Sequence, residues 1–263
     1  MSLRSVLHPT VSRLLPRLLH RRHALLALAA LLGATACSSG GGDAQPASLG
    51  LDGTWFGTEE TDVGDLVALR ATVSGSRVTQ IVVDGADTGL TGSITPIPGR
   101  PNFYDLALSD GTEGGFLIDS TQTYAVFLDE DFNFGVLQRG ASTLPNAGAT
   151  DIYGRTYEGR TVFIDASFSI TDVLDSTVTV AVDGTFQGSY AGGTTFTSAA
   201  ALTLLDATFG AWGGAYDATG PMGPDSGPLR VFASPDKQFI GAWACSSGGS
   251  FPVDCSFSVW RVQ

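Results

Sequence analysis

The chain has 263 residues, with 26 acidic residues against 14 basic ones and a net charge of −12. It has no basic run, so it lacks the electrostatic footprint of nucleic-acid binding. All three histidines, His8, His20 and His23, precede residue 24. The rest of the chain therefore holds no Ser-His or Cys-His nucleophile pair, no His-ligated zinc and no imidazole base.

The first 23 residues carry Arg4, Arg13, Arg17, Arg21 and Arg22 and no acidic residue. Ala24 to Leu32 is apolar but shorter than the about 20 residues that a spanning helix needs. A basic start, a short apolar run and small residues after it read as a secretory signal. The four residues Ala34-Thr35-Ala36-Cys37 resemble the lipobox of bacterial lipoproteins. That resemblance implies a signal peptide over 1–36, cleavage before Cys37 and acylation of Cys37, palmitate included. Residues 37–49 then form the acylated cysteine and a flexible tether of small polar composition. Stable anchoring takes more than one acyl chain. In that family Ser38, rather than aspartate, after the cysteine implies the outer membrane of the cell envelope. A plain Ala-x-Ala cleavage that releases a soluble periplasmic protein is the alternative, and Arg21-Arg22 is similar to a twin-arginine signal. Cleavage would remove five of the 14 basic residues, leaving nine against 26 acidic and a net charge of −17. Lys237 is the only lysine.

From Leu51 onward the texture is all-β, with short runs rich in Val, Thr, Phe and Tyr broken by Gly, Asp, Asn and Pro. Asp84-Gly85 and Asp183-Gly184 are hairpin signals. The halves also echo each other in order. Thr54–Gly57 matches Thr156–Gly159, and Ala71–Ser74 matches Ala166–Ser169. Val83–Ile94 matches Val182–Tyr190, and Ala125–Gly135 matches Arg230–Gly241. This ordered similarity predicts an internal duplication. The reading is two tandem antiparallel β-barrel or sandwich modules, residues 50–140 and 152–263, joined by a linker at 141–151. Each has about eight short strands. One larger barrel or sandwich built from both halves is the rival arrangement.

The opening Leu51–Thr58, with Gly53 and Trp55, resembles the Gly-x-Trp start of calycins such as lipocalins and avidins. That resemblance implies an up-and-down barrel whose first-strand tryptophan closes the floor. Arg139 is the stand-in for the arginine that lipocalins place over that ring.

Asp129, Asp131 and Asn133 alternate as oxygen ligands do in calcium loops. The sixth position, where such a loop wants glycine, is Phe134, so a solvated hairpin tip is the favoured reading and no metal site is expected. Phe209–Pro228 reads as a strand followed by a Gly/Pro-rich loop. Trp212 and Tyr216 share one face there, either as core or as an aromatic platform for a sugar or lipid. Trp243 and Trp260 are expected in the core. Lys237 sits in a turn and is read as solvated rather than catalytic. Cys245 and Cys255, flanked by apolar runs, are expected to pair as a structural disulfide in an oxidising compartment, stabilising by about 2 to 3 kcal/mol. No spacing marks two of the carboxylates as a hydrolytic pair.

These observations predict a lipid-anchored, non-enzymatic envelope protein with a binding or structural role and no cofactor. Its partners would be the membrane, through the anchor, and an envelope protein. The alternative is a calycin-like carrier of a small apolar ligand in one barrel, and a carboxylate-based carbohydrate-active enzyme is more distant. A carrier predicts a hollow apolar interior, whereas an interaction module predicts filled barrels.

Overall fold

Short alternating runs give each strand an apolar face, and turn residues bring the next strand back beside it. The computed structural model describes residues 49–263 apart from 165–169, 199, 221–222 and 247–254. The signal-like segment, Cys37 and most of the tether lie outside the described residues. Every regular element among the described residues is a strand.

The first half holds β1 (Gly53–Glu60), β2 (Leu66–Ser74), β3 (Arg77–Val83), β4 (Ala86–Asp87) and β5 (Gly92–Pro96). It continues through β6 (Phe103–Leu108), β7 (Glu113–Ile118), β8 (Tyr124–Asp129) and β9 (Phe134–Arg139). The second half holds β10 (Arg155–Ile164), β11 (Ile170–Val180), β12 (Phe186–Tyr190), β13 (Thr195–Ser198) and β14 (Thr203–Asp206). It ends with β15 (Ala211–Gly220), β16 (Gly223–Ala233), β17 (Phe239–Cys245) and β18 (Cys255–Val262). In each half, eight strands pair antiparallel with their chain neighbours and the last pairs with the first, closing an up-and-down barrel. β4 and β14 are short additions outside the ring. The two halves are thus two closed barrels in tandem, and the single larger barrel is not formed.

The duplication shows in matched positions. Gly57 faces Leu137 across β1 and β9, and Gly159 faces Trp260 across β10 and β18. A Cβ on Gly57 would lie 1.9 Å from the Val136 carbonyl oxygen, and one on Gly159 would lie 1.7 Å from that of Val259. Both barrels therefore need glycine where first and last strands close most tightly. Of the three sequence matches within the described residues, only Thr54–Gly57 with Thr156–Gly159 falls on equivalent strands. Val83–Ile94 runs from β3 into β5, whereas Val182–Tyr190 covers the β11–β12 turn and β12. Ala125–Gly135 is the β8–β9 hairpin, but Arg230–Gly241 is the β16–β17 hairpin, one strand earlier in its ring. Ala71–Ser74 ends β2, and its supposed counterpart Ala166–Ser169 lies outside the described residues. Hairpin tips share turn chemistry wherever they occur in a meander, which is why they matched out of register. Asp84-Gly85 does form a two-residue hairpin, with φ of 49° and 82°.

The barrels share a wall. The outer residues of β8 and β9, including Tyr124, Val126, Phe134 and Val136, meet Phe232, Phe239, Phe257 and Val259 of the second barrel in one apolar cluster. Ring pairs cross it: Tyr124 stacks on Phe239 at 4.9 Å, and Phe134 meets Phe232 at 5.6 Å. Glu60 seals one edge, accepting from Arg230 Nε at 3.2 Å and Trp243 Nε1 at 2.9 Å. At the other edge Asp236 accepts from Tyr124 Oη at 2.5 Å. The 141–151 segment lies against the second barrel, since Trp212 Nε1 donates to the Ala149 carbonyl and Lys237 Nζ lies 2.5 Å from Asp151.

Gly241 lies where the walls touch: a Cβ there would be 2.4 Å from Val136 Cγ2 and 2.6 Å from Val126 Cγ1. Gly241→Val is expected to destabilise the protein by about 1–3 kcal/mol through overpacking, read as a lower urea midpoint.

Candidate ligand cup in the first barrel

β1 supplies the axis of the site. Its inward face carries Trp55, Gly57 and Glu59, while Thr58 and Glu60 on the alternate face point toward the second barrel. Trp55 is buried at the closed end and donates from Nε1 to the Leu51 carbonyl at 2.9 Å. The Arg139 guanidinium lies 5.9 Å from the Trp55 ring centroid. It donates to the Gly50 carbonyl at 2.8 Å and to the Asp52 carbonyl. The arginine-over-tryptophan floor expected from the calycin resemblance is therefore present, and Arg139 fills the role. In the second barrel Tyr157 takes the place of Trp55 and donates to the Ile152 carbonyl at 3.3 Å.

Above the floor the first barrel is hollow. A cup of about 330 Å³ is walled by aliphatic and aromatic side chains, among them Leu69, Val73, Ile94, Phe116, Phe127 and Leu137. That volume falls at the small end of ligand pockets, about 300–1,000 Å³. In the second barrel the corresponding space is about 30 Å³, room for about one water. Several large side chains fill the second interior, Phe186, Tyr190 and Phe196 among them, and one clear difference falls at equivalent positions. Trp260, opposite Gly159, fills the second interior, where Leu137, opposite Gly57, leaves the first open. Trp212 is fully buried with Trp260 in the second core, and Tyr216 packs against it. Trp212 is a core residue and Tyr216 a half-buried one packed against that core, so the pair forms no exposed platform. The Gly/Pro-rich stretch after them is not a loop, because β15 runs to Gly220 and β16 resumes at Gly223 as a long hairpin. Backbone pairing of small residues suffices to extend it. Trp243 is half-buried at the shared wall.

The mouth is acidic. Glu59, Asp110, Glu113, Asp129 and Asp131 all line the cup. Glu59 stands four residues along β1 from Trp55, roughly 13 Å up the wall at strand rise. Burial, reinforced by the neighbouring charges of Asp129 and Asp84, pushes its pKa up to about 7. Among the described residues, no side chain or backbone donor reaches the Glu59 carboxylate. At the position equivalent to Glu59, the second barrel has Thr161, whose hydroxyl bonds Ser176 and Ser258 at 3.0 and 2.8 Å. The second interior is thus both filled and satisfied, and the first is neither.

The Asp129 tip closes on itself. Its carboxylate accepts from the backbone N–H groups of Asp131 and Asn133 and from Asn133 Nδ2. Burial still holds its pKa above the ordinary carboxylate value, against those hydrogen bonds. Among the described residues no group of three or more acidic, Cys or His side chains is arranged to hold a metal ion. Cys245 and Cys255 are paired residues of β17 and β18 and form the expected disulfide. The sequence reading did not single out Glu59. The available signal was an acid in the inward register of a strand whose other inward residues are Trp and Gly.

No family model matches the chain, and no curated protein does. Among solved structures, a Trp-176-Ala mutant of Transferrin Binding Protein B from Haemophilus parasuis is similar at 8% identity with a TM-score of 0.43. The match covers 78% of this chain and 44% of that one, so this chain spans less than half of its length. Transferrin binding protein B from Neisseria meningitidis is similar at 10% identity, TM-score 0.38, over 75% and 59%. A protein of unknown function from Nostoc punctiforme is similar at 13% identity, TM-score 0.35, over 81% and 96%.

Glu59 gives the folded chain a pH signature. An unfolded glutamate loses its proton near 4.5, whereas folded Glu59 keeps it to about 7. The folded state therefore binds the extra proton between those values, and its stability falls as pH rises through that window. Replacing Glu59 by Gln is expected to remove this fall, worth up to about 3 kcal/mol, in urea titrations compared between about pH 5 and 8.

Proposed function

We propose that this chain is a non-enzymatic binding protein of the cell envelope, anchored through acylated Cys37, whose first barrel carries a small, mainly apolar ligand. The observation that carries the ligand reading is the contrast between two barrels of one topology, one hollow and apolar-walled at about 330 Å³ and one packed to about 30 Å³. A domain kept only for support gains from a filled interior, because unfilled space forfeits dispersion contacts. The second barrel fits that supporting part, as it is packed and cross-linked by its disulfide. The same contrast favours the carrier reading over a pure interaction module, which calls for two filled barrels. On this reading residues 50–140 are the binding module, 141–151 the connection and 152–263 the supporting module.

Leu137→Trp, which copies Trp260 into the first barrel, tests the site. Native mass spectrometry of the exported protein is expected to show a stoichiometric small-mass adduct that Leu137→Trp abolishes without loss of folding. An adduct that survives the substitution would place the ligand elsewhere.

The anchor has its own test. Cys37→Ala is expected to move the protein from the membrane to the soluble envelope fraction, whereas an unchanged distribution would remove the anchor from the account.

A further inference from the structure

The chain pairs its buried carboxylates, but the half-buried Glu59 of the cup wall is left without a partner. Glu60, turned to the shared wall, is met by Arg230 and the Trp243 indole. Asp119 is buried at the β7–β8 turn and accepts from the N–H groups of Thr121, Thr123 and Tyr124. Glu59, next to Glu60 but facing the cup, has no donor among the described residues. Burying an unpaired carboxylate in an apolar surround is costly. The nearest charges make it worse, since Asp129 and Asp84 are both acidic. Among the described residues no Lys or Arg side chain lines the cup. Arg70, in β2, faces away from the interior and acts on exposed Asp87.

The surroundings of Glu59 suit a positive group. Glu59 pairs across β1 and β9 with Gly135, and Phe127 of β8 pairs with that same glycine. The Phe127 ring lies over Gly135, at 2.0 Å from where a Cβ would stand, so Glu59 and the ring flank the same glycine on the inner face. A cation there gains from both the carboxylate and the ring quadrupole. The rim acids Asp110, Glu113 and Asp131 raise the local concentration of cations at the mouth. An anionic head, such as a fatty acid carboxylate, would instead meet like charge on every side. A wholly apolar ligand would cover Glu59 and leave it unpaired.

Resting on the reading of the first barrel as a binding cup, we propose that its ligand is a cationic amphiphile. Its apolar body would fill the barrel above Trp55, and an amine or quaternary ammonium head would sit between Glu59 and Phe127. Neither a metal nor a second protein chain is needed for this recognition. The preference is set by one side chain in the inward register of β1, and it is therefore separable from the fold.

The test uses the exported full chain carrying Cys37→Ala, which needs no detergent, and three probes of one chain length below their aggregation limits: decyltrimethylammonium, decanol and decanoate. Calorimetric titration at about pH 8, where Glu59 is ionised, is expected to give binding of the ammonium at least about tenfold tighter than decanol, with decanoate weakest. Glu59→Gln is expected to bring ammonium and decanol within about threefold of each other while decanol binding persists, showing that the variant barrel is intact. Decanol or decanoate binding as tightly as the ammonium, or a preference that Glu59→Gln leaves unchanged, would overturn the cationic assignment and leave the cup standing. If none of the three probes binds, the cup reading itself fails, and the assignment fails with it.

Discussion

The structure depends on the wall that the two barrels share. β8 and β9 are buried on both faces: Ala125, Phe127 and Leu137 line the cup, while Tyr124, Val126, Phe134 and Val136 press against the second barrel. The first barrel has its own inner cluster, Leu51, Trp55, Leu69, Val73, Val78 and Ile94 among it, but the cup leaves part of that interior unfilled. Phe232, Phe239 and Phe257 of the packed barrel add contacts on its outer face. Gly241 allows the two sheets to approach closely enough for Val126 and Val136 to interlock with β17. The hollow barrel and the filled one are thus one mechanical system, with the second bracing the first.

The same alternation that builds the wall divides two adjacent glutamates between two environments. Glu60 enters the wall and is neutralised by Arg230; Glu59 enters the cup and is not. A period of two residues cannot put both on one face, so the ion pair that fixes the barrels together and the open carboxylate of the cup arise from one local sequence. Trp55 and Gly57, preceding them on the inward face, set the floor and the tight strand closure. β1 therefore carries the floor, the seal and the polar group of the site within eight residues.

Much of this was legible in the sequence. The all-β character, the barrel start at Gly53 and Trp55, the role of Arg139 and the pairing of Cys245 with Cys255 all follow from local patterns. A Gly-x-Trp start, a late arginine and apolar runs around cysteines need no distant partner to be read. The two-faced burial of β8, β17 and β18 was also visible, as the near-continuous apolar runs "YAVFL", "FIGAWAC" and "FSVW". A strand with one wet face alternates, as β5 and β6 do. The hollow was not legible. It depends in part on Leu137 standing where the equivalent position has Trp260, and only the strand register shows that these positions correspond. Out-of-register matches between hairpin tips hid that register, because Asp, Asn and Gly recur at tips for reasons of turn geometry alone. Glu59 was missed for a related reason. In a chain with 26 acidic residues, one more carboxylate has meaning only once its face is known.

Two barrels of one topology differ in their interiors, the first open to an apolar guest and the second closed. A crystal structure determined under xenon pressure addresses this directly, because xenon enters apolar cavities and is excluded from packed cores. Xenon density is expected in the first barrel, between Trp55 and Phe127, and none among Trp212, Phe196 and Trp260 of the second. Xenon in neither barrel, or equally in both, would contradict that difference.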